Sequence, residues 1–329
     1  MKRRAMLRLI GAGTASAGWL ALPAHSTSKY PSGPIRMVVP YAAGGGIDAV
    51  ARMLAQGMAD VLHQPVVVDN RGGAGGMLGA EIVARAAPDG YTVLLAGNPE
   101  LTITPQLQKA SYSAATDFKP VVLVSQSPNV LVARPSLGGK DLREALQAAR
   151  QQPGGISVGT PGNGSPQHLA VEQLRAQTGL DIVHVPYKGA GPATVAALGG
   201  EVSFALVGAP PVLPHIGSGK LVGYAVTQPE RSPLAPQVPT LAEALDLKQK
   251  DDFVSWYGLL TPAQVPAEAV QALARAAFAV LQRSDTRARL AALGTDLVAM
   301  PAASFAQRMQ QETRRYGEVI QRLGINKAS

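Results

Sequence analysis

Twice within the first eighty residues, a short apolar run ends in a cluster of glycines and passes into helical spacing. Residues 35–40 (Ile-Arg-Met-Val-Val-Pro) enter Tyr41, Ala42, Ala43, Gly44, Gly45 and Gly46. Residues 48–62 then carry Val50, Met53, Leu54, Met58 and Val61 on one helical face. Residues 65–69 repeat the pattern ahead of Gly72, Gly73, Gly75 and Gly76, with a helix expected over 78–87. A turn at Pro88, Asp89 and Gly90 leads into a third apolar run at 92–96. Alternation of strand and helix on this scale restricts the chain to an α/β fold, here expected with a mainly parallel sheet.

The alternation resumes further on. Residues 121–133 read as an extended crossing with Pro128 in its middle. Helices are expected at 142–151, 167–178 and 193–198, and strands at 156–159, 181–185 and 202–207. A strand at 255–259 leads back, and helices at 267–282 and 303–323 finish the chain. Two lobes follow, one from residues 30–127 with 255–329 and the other from 128–254. Two crossings between lobes make a cleft, and clefts between domains are where small ligands bind. At 329 residues the chain supplies each lobe with its own core.

The formal charge of +8 suggests a nucleic-acid partner, but the suggestion weakens on inspection. Lys2, Arg3, Arg4 and Arg8 belong to the leader described next; without them 26 basic residues face 22 acidic ones. The remaining cations are scattered, and aromatic residues at 5% are too few for base stacking. No nucleic-acid partner is expected. The absence of cysteine excludes disulfides, thiolate metal sites and cysteine nucleophiles.

Residues 1–24 have the organisation of a secretory signal peptide. A basic start, Lys2 to Arg4, precedes an apolar, small-residue run to Leu22, and Pro23, Ala24, His25 and Ser26 close it. Cleavage is expected after Ala24, with Ser26 the alternative, and the mature chain is expected in the periplasm.

The loop Ala43, Gly44, Gly45, Gly46, Ile47, Asp48 lies between a strand and a helix. Glycine lets backbone approach a ligand, and free N–H groups at a helix start favour an anion. A tight turn with Asp48 as helix cap explains the same residues, and spacing alone leaves both open. The second glycine cluster fails the dinucleotide spacing, because Leu78 stands where a third glycine is needed, and no P-loop pattern exists. Ser165 and His168 come nearest to a catalytic constellation, that of an exported hydrolase, but Ser165 lacks the nucleophile-elbow glycines. His63, His184 and His215 show no metal-ligand spacing. No enzyme activity, cofactor or metal is expected.

Ordered motifs from about Tyr30 to the C-terminus resemble the Bug-type periplasmic receptors of tripartite tricarboxylate transporters. They include Pro34-Ile35-Arg36, Val38-Val39-Pro40-Tyr41, Gly44-Gly45 with Asp48, Asn70-Arg71 and Ala87-Pro88-Asp89-Gly90-Tyr91-Thr92. Gly162-Asn163-Gly164-Ser165, His168-Leu169, His184-Val185-Pro186-Tyr187-Lys188-Gly189 and Trp256-Tyr257-Gly258-Leu259 continue the series. The resemblance implies a two-lobed type II periplasmic binding fold that closes on a small carboxylate held largely by backbone N–H groups. It places the site at Tyr41, Ala43, Gly44, Gly45, Gly46, Ile47 and Asp48 from one lobe. From the other it takes Thr160, Ser165, Gln167, His168, Tyr187 and Lys188. It implies a monomer whose partners are membrane transporter subunits, with a sensor protein as the alternative recipient.

One departure bears on the ligand. Where relatives carry an Asp-Asn pair, this chain has Val207 and Gly208. A pocket without that acceptor is expected to favour carboxylates with an apolar body over α-amino acids.

Overall fold

A computed structural model describes residues 30–248 and 252–325; the leader expected over 1–24 lies outside them. β1 (Ile35–Val39) is buried along nearly its whole length, as its apolar run requires. The chain turns into α1 (Gly46–Leu62), returns as β2 (Val66–Asn70) beside β1, and continues through α2 (Met77–Ala84) into β3 (Thr92–Gly97). β2 and β3 flank β1, both parallel to it. Gly79 lets α2 lie directly on β1, because a Cβ there would stand 2.7 Å from the Pro40 Cα and 2.9 Å from the Arg71 carbonyl oxygen.

A π-helical turn, Pro99–Ile103, and α3 (Thr104–Leu107) follow, and then β4 (Phe118–Ser127). Pro128 separates β4 from β5 (Asn129–Ala133), which belongs to a different sheet. The second lobe continues with α4 (Leu142–Arg150), β6 (Ile156–Thr160), α5 (Pro166–Thr178), β7 (Ile182–Pro186), α6 (Ala190–Gly199) and β8 (Phe204–Gly208). α7 (Leu213–Gly217), β9 (Val222–Val226) and α8 (Leu241–Leu245) complete it. β10 (Ser255–Pro262) re-enters the first sheet, followed by α9 (Ala267–Leu281), α10 (Thr286–Ala292), β11 (Asp296–Pro301) and α11 (Ala302–Arg322).

The strand orders are β11-β4-β10-β3-β1-β2 in one sheet and β7-β6-β8-β5-β9 in the other. The sheets are mixed, not mainly parallel. β10 runs antiparallel to both β3 and β4, and β5 antiparallel to both β8 and β9. The cause is the crossing itself: the strand leaving the first lobe, β4, and the strand returning, β10, lie side by side and run opposite ways.

Each sheet buries both faces. Met37, Leu54, Met58, Leu273 and Val280 pack on one side of the first, under α1 and α9. Trp256, Phe305, Leu94 and Leu123 pack on the other, with the Trp256 and Phe305 rings edge to face at 5.1 Å. Burying side chains of this size stabilises by about 2–3 kcal/mol each. α11, about 30 Å long by its 21 residues, begins in that cluster with Phe305 and Met309. It ends in the second lobe's core, where Tyr316, Val319 and Ile320 meet Phe253, Leu169 and Leu174.

Candidate functional site

Residues 41–48 connect β1 to α1 across the end of the first sheet. α1 starts from Gly45, whose φ of −82° and ψ of 168° are open to any residue, and no side chain caps it. A Cβ on Gly45 would meet only the Ala42 carbonyl oxygen, at 3.8 Å. Neither backbone strain nor crowding therefore requires glycine at this position. Gly44 does need it, with φ +88°. Ala43, Gly44 and Gly45 are exposed, whereas the Ile47 side chain is in the core, so Ile47 can offer only its backbone.

Asp48 differs from its expected role as the cap. It lies inside α1 and reaches back to accept the Gly44 N–H at 2.9 Å. Arg52 and Asn70 occupy both of its oxygens as well. Burial pushes its pKa up, but those hydrogen bonds and the Arg52 charge outweigh burial and hold it below the ordinary value. Asp48 therefore shapes the loop and is a spent acceptor. The Tyr41 hydroxyl is likewise committed, donating to Glu100 Oε2 at 2.6 Å.

The second lobe presents the start of α5. Here the N-cap is filled: Ser165 Oγ accepts the His168 N–H at 3.1 Å and donates to the Gly162 carbonyl at 2.8 Å. Ser165 bonds the backbone of His168 and not its ring, so the pair is not arranged as nucleophile and base. Thr160 is buried and its hydroxyl meets His184 Nε2 at 2.7 Å. The Gln167 amide donates to Asn129 Oδ1 at 2.7 Å and lies 3.4 Å from Ser255 Oγ. Asn129 opens β5 and Ser255 opens β10, so Gln167 ties the α5 turn to both crossings, a role its sequence context does not reveal. The Tyr187 ring covers Gly159, and Lys188 is exposed. Val207 points into the second lobe's core; Gly208 follows it beside Asn129 and Ser127.

His168, Glu172 and His184 hold their potential ligand atoms within 4.8 Å of one another, a donor set that zinc accepts. Sequence spacing missed the set because His184 joins it from β7. The hydrogen bonding does not suit a metal. His168 Nδ1 accepts the Gly164 N–H at 3.3 Å, which leaves the ring proton on Nε2, whereas a ligating histidine donates from its second nitrogen. The two imidazoles stack at 4.3 Å. Burial lowers both pKa values, that of His184 to about 4 with help from its neighbour, so the pair stays neutral.

The two lobes meet at these loops. A Cβ on Gly46 would stand 3.6 Å from Pro210 of the second lobe, and one on Gly164 would stand 3.3 Å from Leu107 of the first. Each predicted loop thus lies against the opposite lobe, Gly46 beside Pro210 and Gly164 beside Leu107. The structure assigns their polar side chains to holding the loops in shape. What remains for a ligand is chiefly backbone, including the uncapped start of a 17-residue helix.

The family model described as the tripartite tricarboxylate transporter family receptor matches residues 50–325. Protein BugT of Bordetella pertussis is 35% identical over 98% of this chain and 99% of its own. Among solved structures, MatC from Rhodopseudomonas palustris with bound malate has a TM-score of 0.78 at 33% identity, covering 88% of this chain and all of MatC. Rpa4515 from R. palustris with adipate has a TM-score of 0.81 at 30% identity, covering 90% of this chain and 98% of its own. The architecture described above is the two-lobed type II periplasmic binding fold.

Proposed function

The chain belongs to the tripartite tricarboxylate transporter receptor family, and we propose that it is an exported receptor. It captures a small carboxylate between its lobes in the periplasm and hands it to membrane transporter subunits, without turnover. The lobes are residues 30–127 with 255–329, and residues 128–254; the receptor works as a monomer after removal of residues 1–24. Among the described residues no helix is long and apolar enough to cross a membrane.

The observation that carries this proposal is Gly45. The position tolerates a side chain by conformation and by space within the chain, yet glycine leaves the first N–H groups of α1 without a side-chain cap. That favours an anion-approach loop over a turn requirement. Relatives with malate and adipate fit the same chemistry. An ammonium group would find no acceptor in the Asp48 side chain, whose oxygens are engaged, or in Val207, which is buried in the core. Leaving it unpaired costs several kcal/mol, about 2–7 for a polar group alone. The ligand class is therefore a carboxylate with an apolar body.

Isothermal titration of the mature protein with adipate and with 2-aminoadipate tests the assignment. Adipate is expected to bind and the amino analogue to bind more weakly. Tighter binding of the amino analogue overturns the ligand class, and turnover of either compound overturns the receptor assignment.

A further inference from the structure

Glu100 is a buried acid beside the first glycine loop that the proposed ligand site does not explain. It sits in the turn Pro99–Ile103 after β3 and is fully buried. Its Oε1 accepts the Gly97 N–H and its Oε2 accepts the Tyr41 hydroxyl, each at 2.6 Å. A Cβ on Gly76 would stand 3.0 Å from Oε2, so the carboxyl is wedged between the two glycine loops of the first lobe. Among the described residues no cation pairs with it.

The titratable groups facing it are tyrosines. Tyr41 comes from the ligand loop, Tyr257 from β10 and Tyr112 from the segment after α3, and all three are held protonated by burial and by Glu100 itself. On the neighbouring elements, Glu81 faces Tyr112, while Arg308 and Glu312 of α11 are engaged with each other. Burial raises the Glu100 pKa to about 7, against the opposing hydrogen bonds from Tyr41 and Gly97. Tyr41, which bonds this carboxylate, is also the residue from which the 42–46 loop starts, so a negative charge held by that loop bears on Glu100 through one side chain.

Taking residues 43–48 as the anion site, we propose that Glu100 is a proton site coupled to it, so that the receptor loads its carboxylate together with a proton. The balance is simple: ionised Glu100, one proton and the ligand anion give a complex in which Glu100 is the neutral acid. Its Oε2–H then donates to the Tyr41 oxygen, reversing the bond drawn for the ionised state, and Oε1 still accepts from Gly97. Glu100 thereby sets the pH range over which the ligand is held, and Tyr41 carries the coupling.

The test is titration with adipate between about pH 6.5 and pH 9, where both of its carboxyls stay ionised. Each pH is measured in two buffers of different ionisation enthalpy. Binding is expected to take up a proton above neutrality, with Kd rising toward about tenfold per pH unit. Glu100→Gln mimics the neutral acid, its amide donating to Tyr41 and its oxygen accepting from Gly97. The variant is expected to bind with neither proton uptake nor pH dependence; equal uptake in the variant overturns the assignment to Glu100. The wild-type profile stands even if the variant misfolds. Adipate binding with a flat Kd and no buffer-dependent heat overturns this inference alone. Failure of both adipate and malate to bind at any pH overturns the carboxylate assignment, and this inference with it.

Discussion

Replacing Gly45 with valine separates the two explanations of the first glycine loop. The backbone at this position is extended, with φ −82° and ψ 168°, which a β-branched residue adopts without strain. The added Cβ would meet one carbonyl oxygen, at 3.8 Å, an ordinary contact. Valine is a poorer N-cap than glycine, but it also narrows the unfolded ensemble, so stability is expected to shift by no more than about 1 kcal/mol. Binding is affected differently. The isopropyl group occupies space in front of the first N–H groups of α1. Loss of one hydrogen bond to a charged ligand amounts to about 2 kcal/mol, or roughly thirtyfold in Kd. Titration with adipate reads the affinity, and thermal denaturation reads the fold. A variant that melts normally and binds adipate as tightly as the wild type refutes the reasoning, and the loop is then only a turn.

Gly79→Ala is the opposite case. Its Cβ meets Pro40 and Arg71 backbone within 3 Å, so the protein is expected to lose its cooperative unfolding transition by circular dichroism. Glu312→Ala strips the buried acceptor from the Trp256 indole N–H, bonded at 2.7 Å, and from Arg308. A loss of about 3 kcal/mol in denaturant unfolding is expected, with a changed Trp256 emission. Glu100 makes stability depend on pH. Its folded pKa is about 7 against an ordinary 4.5, so its contribution is fully present below 4.5 and lost as pH rises through 7. The loss is about 3 kcal/mol. Glu100→Gln is expected to be more stable than wild type by that order at pH 8 and indistinguishable near pH 4. The reverse ranking at pH 8 sinks the assignment.

Periodicity read the elements with long apolar faces well. α1, α9 and α11 come within two residues of their expected bounds, because each buries a continuous stripe. β9 and β11 were absent from the sequence description. Gly223 interrupts the run of β9, and β11 is only half buried, so neither makes a continuous apolar pattern. The glycine loop was legible as a place of backbone exposure, but the open space around Gly45, on which the proposed anion reading rests, was not. Gln167 with Asn129 and Ser255, and Glu100 with Tyr41, were not legible at all. Each is a pairing across 38 to 88 residues, and a lone polar residue carries no mark of the distant atom it will meet. His184 illustrates the same limit, since only the sheet brings β7 beside α5.

The position of β10 governs the order in which the molecule can assemble. β10 lies between β3 and β4, yet it follows the whole of residues 128–254 in the chain. During synthesis, β3 has an open edge on that side, and β4 has no partner on either, until residues 255–301 arrive. The second sheet draws all five of its strands from one contiguous segment and can close earlier. Long loop closure makes the first lobe the late and slow unit. In the interval, its exposed Val-Leu-Leu and Val-Val-Leu-Val edges are the segments most open to mispairing with another chain.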